Sequence, residues 1–187
     1  VTCRAVIFMR IILHLWKGST WRACVWYQGC NDSTNEATAL AYESQMTLLI
    51  NQYREVFDQD DLPFLYVQLA RWPGYQYTQN VRFAQLNTLS NAGLRNASNV
   101  AMTVSLDTDK GTSTLIHPLG KDILGARMAA QYLAMSEGKT IPNGPLIAHA
   151  KHASDGTIVL SFRTAPQPVC RRKSQLFEDC ERDRARL

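Results

Sequence analysis

An α/β fold built on a mainly parallel sheet is the architecture this sequence predicts, and three observations predict it. Short apolar runs alternate with segments whose apolar residues recur every three or four positions, the pattern of strand-helix-strand units. One run, Phe64 to Leu69, is apolar enough to be buried on both faces, as strands of a parallel sheet covered by helices are. Polar clusters fall where strands end, at Gln28 to Asp32 and at Asp107 to Lys121, and open α/β sheets bind ligands at the carboxyl ends of their strands. Together these predict a three-layer α/β/α sandwich in which the two polar turns form one site.

The elements follow in chain order. Ala5 to Leu15 is apolar on nearly every side and fits a buried helix or a strand equally. Lys17 to Thr20 is a turn, and Trp21 to Tyr27 a strand that breaks sharply at Gly29. Asn31 to Asn35 offers several helix caps. From Glu36 to Phe57, Tyr42, Met46, Leu49, Tyr53 and Val56 recur at helical steps and define one face of a long amphipathic helix. Pro63 introduces the strand Phe64 to Leu69, and Arg71 to Gln79 is an aromatic loop containing Pro and Gly. Val81 to Ser90 suits a helix with Phe83, Leu86 and Leu89 on its stripe, stopped by Asn91 to Gly93. Asn99 to Leu106 is a strand, and Lys121 to Met135 a helix carrying Leu124, Met128 and Tyr132 on one side. Leu146 to Ala150 and Thr157 to Phe162 flank Asp155-Gly156, a hairpin signal. Beyond Pro166 the pattern dissolves into Pro, Cys and alternating charge, so the expected division is a domain over 1–165 and a charged tail over 166–187.

Composition narrows the function. At 187 residues and 45% hydrophobic, the chain is long enough for one ordinary core. A net charge of +4 with no basic stripe interleaved with aromatics argues against nucleic acid as a partner. Five cysteines, Cys3, Cys24, Cys30, Cys170 and Cys180, include no Cys-x-x-Cys pair, so no metal site is expected. Cys24 alternates with apolar neighbours and reads as a small core residue. The most apolar stretch, Ala5 to Trp16, is too short to span a bilayer and contains Arg10 and His14, so no membrane partner is expected.

Chemistry concentrates at the two turns. His117, between Ile116 and Pro118 and just before a helix, is a candidate proton carrier, although lone histidines are more often structural. Gln28 and Asn31, on either side of Gly29, could donate amide hydrogen bonds to a developing oxyanion, or could simply satisfy the backbone of their own turn.

The order of motifs weighs between these readings. Trp26-Tyr27-Gln28-Gly29, a long helix, Pro63-Phe64 through Gln68-Leu69-Ala70, Arg82-Phe83-Ala84-Gln85, and Ile116-His117-Pro118-Leu119-Gly120-Lys121 with Gly125-Ala126-Arg127 occur in sequence. Over roughly Lys17 to Ala165 the chain resembles the sialate O-acetylesterases, the carbohydrate-esterase branch of the SGNH hydrolases. The resemblance implies a flavodoxin-like α/β/α fold, hydrolysis of acetyl esters on sugars by acyl transfer to a Ser and then to water, and no metal or organic cofactor. It also implies His117 as the general base, and Gln28 and Gly29 as the oxyanion turn. An acetylated sugar or glycan is the implied partner, and an extracellular or periplasmic setting the implied compartment.

Three departures qualify the expectation. Cys30-Asn31-Asp32 replaces the family's usual Glu-Ser-Asn or Glu-Ser-Asp, removing a carboxylate that would order the turn. Thr114 stands where an Asp is often found before the His, leaving Asp107 or Asp109 to orient His117. No Gly-x-Ser block ends a strand before Val25, so the expectation is a fold incomplete at its N-terminus and a chain inactive by itself. A carbohydrate-binding module that stacks sugars on Trp72, Tyr75 and Tyr77 is the alternative, and Cys30 as a nucleophile a third.

Overall fold

The computed structural model describes residues 20–108, 117–144 and 147–162. Three short strands, β1 (Cys24–Trp26), β2 (Phe64–Gln68) and β3 (Val100–Val104), form a parallel sheet in the order β1-β2-β3. Helix α1 (Glu36–Val56) joins β1 to β2, α2 (Thr78–Thr88) joins β2 to β3, and α3 (Lys121–Ser136) follows β3. Trp26 pairs with Tyr66, and Tyr66 with Met102, so the three strands run in step.

Alternation along the strands sends side chains to two covered faces. Phe64, Tyr66, Val100 and Met102 join Tyr42, Met46 and Ile50 of α1 and Val81 and Ala84 of α2 in one buried cluster. Leu65, Val67, Ala101 and Thr103 point the other way and are also buried. There Thr103 Oγ1 meets Gln131 of α3 at 2.5 Å. Helices therefore cover both sides, giving the three-layer α/β/α arrangement expected from sequence, and all five residues of β2 are buried.

Local sequence explains where elements begin and stop. Asn35 caps α1, its side-chain oxygen accepting from Ala37 N at 2.9 Å and Thr38 N at 3.4 Å. Asp58, at φ 53°, ends it in a left-handed residue. Strand β1 is shorter than the expected Trp21 to Tyr27 because other groups claim the backbone: Gln59 exchanges two side-chain hydrogen bonds with the Trp21 N–H and C=O, at 2.9 and 3.0 Å. Helix α2 starts at Thr78, three residues before the expected position, since its first turn is polar and carries no apolar period. Its inward face follows the expected stripe only in part, Leu86 and Leu89 packing partly buried against the core. Phe83 is 56% exposed, whereas Val81, Ala84, Gln85 and Thr88 are buried. The small Val81 and Ala84 let the helix approach, and the two polar residues find partners inside.

Arg54, fully buried near the end of α1, has no acidic ion-pair partner within 4 Å among the described residues. Its guanidinium instead donates to three backbone carbonyls, those of Leu62 at 3.2 Å, Arg95, and Asn99 at 3.1 Å. A buried cation is tolerated when its donors are satisfied in this way.

Contacts divide the chain into two compact units, Val1–Asn143 and Gly144–Leu187. In the second, β4 (Ile147–His152) and β5 (Ile158–Phe162) form an antiparallel hairpin around Asp155-Gly156, as expected. Gly156 takes φ +86°, and Asp155 Oδ1 accepts from Thr157 N at 2.9 Å. The expected boundary at residue 165 and the tail lie outside the described residues. None of the helices among the described residues is long and apolar enough to cross a membrane.

Candidate active site

The carboxyl ends of the three strands are tied together by side chains. Ser105 Oγ, just beyond β3, donates to Gln68 O at the end of β2 at 2.6 Å. Thr108 closes a turn on Ser105 O and in turn accepts Gly120 N at 2.8 Å, which brings the start of α3 back to the end of β3. A Cβ at Gly120 would lie 2.7 Å from Thr108 O, so this return requires glycine. Lys121 then places its ammonium 4.4 Å from the centre of the Tyr27 ring, beside the turn that ends β1.

That turn is held from several sides. Gln28 O accepts from Tyr42 Oη at 3.0 Å and from Gln85 Nε2 at 3.3 Å. Tyr42 Oη also lies 3.2 Å from Gln28 Oε1, and Gln28 Nε2 donates to Asp32 at 2.5 Å. Gly29 sits at φ +124°, and a Cβ there would meet Tyr42 Oη at 3.0 Å and Val81 Cγ1 at 3.1 Å. The peptide between residues 28 and 29 is trans, so with its carbonyl turned toward Tyr42 and Gln85 the Gly29 N–H points the opposite way. No acceptor takes that N–H among the described residues. Asn31 opens a short 3-10 turn, Asn31–Thr34, in which its carbonyl accepts from Thr34 Oγ1 at 2.7 Å.

Each expected site residue can now be placed. Gln28, Gly29 and Asn31 share the turn after β1, where Asp32 and Tyr42 contact the Gln28 side chain. His117 is exposed, four residues before Lys121, and forms no hydrogen bond among the described residues. Asp107 forms a two-pronged pair with Arg127, at 2.8 and 2.5 Å, while Arg127 also donates to Val104 O at 2.7 Å. The Asp107 carboxylate thus serves to fasten α3 to the end of β3. Asp109 lies outside the described residues. Sequence reasoning placed Tyr42 only in the core and gave no site role to Gln85 or Asp32. Gln85 carried a signal, a polar residue four positions after the inward-facing Val81.

Electrostatics disfavours Cys30 as a nucleophile. Burial is the main influence and pushes its thiol upward, and the nearby Lys121 offsets this only in part. Cys24 is pushed up to about 12 by burial, as a core thiol would be. No group of three or more His, Cys, Asp or Glu side chains arranged for a metal occurs among the described residues.

A parallel sheet sandwiched by helices, with a glycine turn at the carboxyl end of a strand, defines the class of α/β proteins that bind ligands above the sheet. The chain belongs to the carbohydrate esterase, sialic acid-specific acetylesterase family, whose model matches residues 7–134. It is similar to a carbohydrate acetylesterase from Xanthomonas citri, with 29% identity and a TM-score of 0.61, covering 75% of this chain and 32% of that one. A protein from Arabidopsis thaliana of known structure is 26% identical with a TM-score of 0.54, covering 70% of this chain and 51% of that one. The chain therefore spans about a third and about half of these two structures. No curated protein matches the sequence.

Proposed function

We propose that the chain carries the oxyanion turn and the general base of a carbohydrate O-acetylesterase acting on acetylated sialic acids or related sugars. The observation that carries this reading is the Gln28-Gly29 turn: a carbonyl fixed inward by two donors, leaving the Gly29 N–H and the second Gln28 amide hydrogen available to an oxyanion. In the reaction a serine hydroxyl attacks the acetyl carbonyl while His117 takes its proton. The tetrahedral oxyanion accepts hydrogen bonds at the turn, and the ester C–O bond breaks as the imidazolium gives the proton to the departing sugar oxygen, which leaves as a hydroxyl. Water then repeats the sequence on the acetyl-serine. The sequence places no Gly-x-Ser at the end of a strand before Val25, and this chain by itself is expected to be inactive.

The test is calorimetric titration with an O-acetylated methyl sialoside and its de-acetylated parent, alongside p-nitrophenyl acetate turnover. Saturable binding that favours the acetylated sugar, with negligible turnover, is the expected result. Equal affinity for both sugars overturns the acetyl-ester reading. Turnover abolished by His117→Ala overturns the expectation of inactivity.

A second reading, a non-catalytic carbohydrate-binding module, draws on one observation. Trp72 and Tyr75 meet edge to face at 6.2 Å and, with Cys30 and Ser33, line a small cleft beside the turn. Binding that ignores the acetyl group but is lost in Trp72→Ala favours that module.

A further inference from the structure

We propose that Gln85 is a positioning residue for this turn, its carboxamide standing in the β1–β2 ladder where the backbone of residue 28 would otherwise be. The proposal rests on the reading of residues 28 and 29 as the oxyanion site. The register shows the substitution. Cys24 N donates to Pro63 O at 2.8 Å, with Cys24 opposite Phe64 and Trp26 opposite Tyr66. In a parallel ladder a residue facing position j donates to the carbonyl of j−1 and accepts from the N–H of j+1. Continued by two residues, Gln28 would face Gln68, donate to Val67 O and accept from Leu69 N.

Gln85 occupies both positions. Its Nε2 donates to Val67 O at 3.1 Å, and its Oε1 accepts from Leu69 N at 2.9 Å. The second Nε2 hydrogen reaches Gln28 O at 3.3 Å, so the amide that displaces the strand also grips it. Gln85 is 1% exposed and held within α2, whose backbone at the same residue accepts Tyr66 Oη at 2.7 Å. The wedge therefore does two things: it ends β1 at Trp26, and it swings the 28–29 peptide out of the sheet with its carbonyl toward the helices. Tyr42 Oη supplies the second grip on that carbonyl.

The orientation of the Gly29 N–H is the quantity to measure, by residual dipolar couplings on the full chain. In Gln85→Met, which keeps the length and removes the polar atoms, the Gly29 coupling is expected to move away from its wild-type value while those of β3 stay fixed. Leu69 N–H should exchange about tenfold faster. Tyr42→Phe should move the Gly29 coupling without changing Leu69 exchange. Affinity for the O-acetylated sialoside should fall about tenfold in each variant. An unchanged Gly29 coupling in folded variants overturns the proposal. Should Gln85→Met fail to fold, the wild-type protein decides: its Gln85 side-chain amide hydrogens must resist exchange in D2O, and exchange at the free-amide rate overturns the wedge. A wild-type chain that binds no acetylated sialoside defeats the esterase reading while the couplings still judge the wedge.

Discussion

At the scale of single residues, the turn after β1 shows how one missing Cβ fixes the placement of several functional groups. Gly29 combines φ +124° with contacts at 3.0 to 3.2 Å that a methyl group would fit only by pushing Tyr42 and Val81 back. Gly29→Ala is expected to cost about 1–3 kcal/mol, from backbone strain and from displacement of the Tyr42 hydroxyl. Urea unfolding monitored by tryptophan fluorescence measures it, and a cost near zero contradicts the tight packing described. Cys30, next along the chain, has a thiol raised above its ordinary 9.0 by burial. Because only the thiolate is alkylated, its reaction with iodoacetamide should be slower at pH 7 than that of an exposed thiol, and should still be climbing as pH passes 9.0, where the rate of an exposed thiol levels off. A fast reaction at neutral pH would restore the cysteine nucleophile.

At the scale of elements, the legible parts of the sequence were those whose signal is local. The helical steps from Tyr42 to Val56 and the doubly buried run of β2 each rest on the solvent preference of neighbouring side chains. The Asp155-Gly156 hairpin rests on turn chemistry, equally local, and so does the sharp turn at Gly29 that ends β1. Gln85, Tyr42 and Arg54 were not assigned their roles, because each finds its partners on backbone far along the chain, and periodicity carries no record of such partners. The exposed Phe83 of α2 has the same origin: it is the more hydrophobic residue, yet Gln85 is the one with partners inside. Arg54 makes the point testable. Arg54→Met preserves much of the volume but leaves three carbonyls without their donor, and is expected to lose about 3 kcal/mol of stability by thermal or urea unfolding. A loss below 1 kcal/mol would mean that water replaces the guanidinium at little cost.

At the scale of the whole molecule, the division after Asn143 predicts that the first unit keeps its own core. A chain ended at Asn143 retains the sheet, α1 to α3, and the bond from Met102 N to Asn143 Oδ1 at 3.0 Å. It should unfold in a single cooperative transition, with a urea midpoint close to that of the full chain. A broad, non-cooperative transition would show the division to be nominal. Arg54 has a further consequence at this scale, one of timing. Its guanidinium reaches Arg95 and Asn99, 41 and 45 positions away along the chain. Bringing such distant partners together costs loop-closure entropy, so these bonds are expected to form late in folding. Arg54→Met should therefore leave the refolding rate nearly untouched and accelerate unfolding, so that the rivet acts as a brake on opening rather than a seed for assembly.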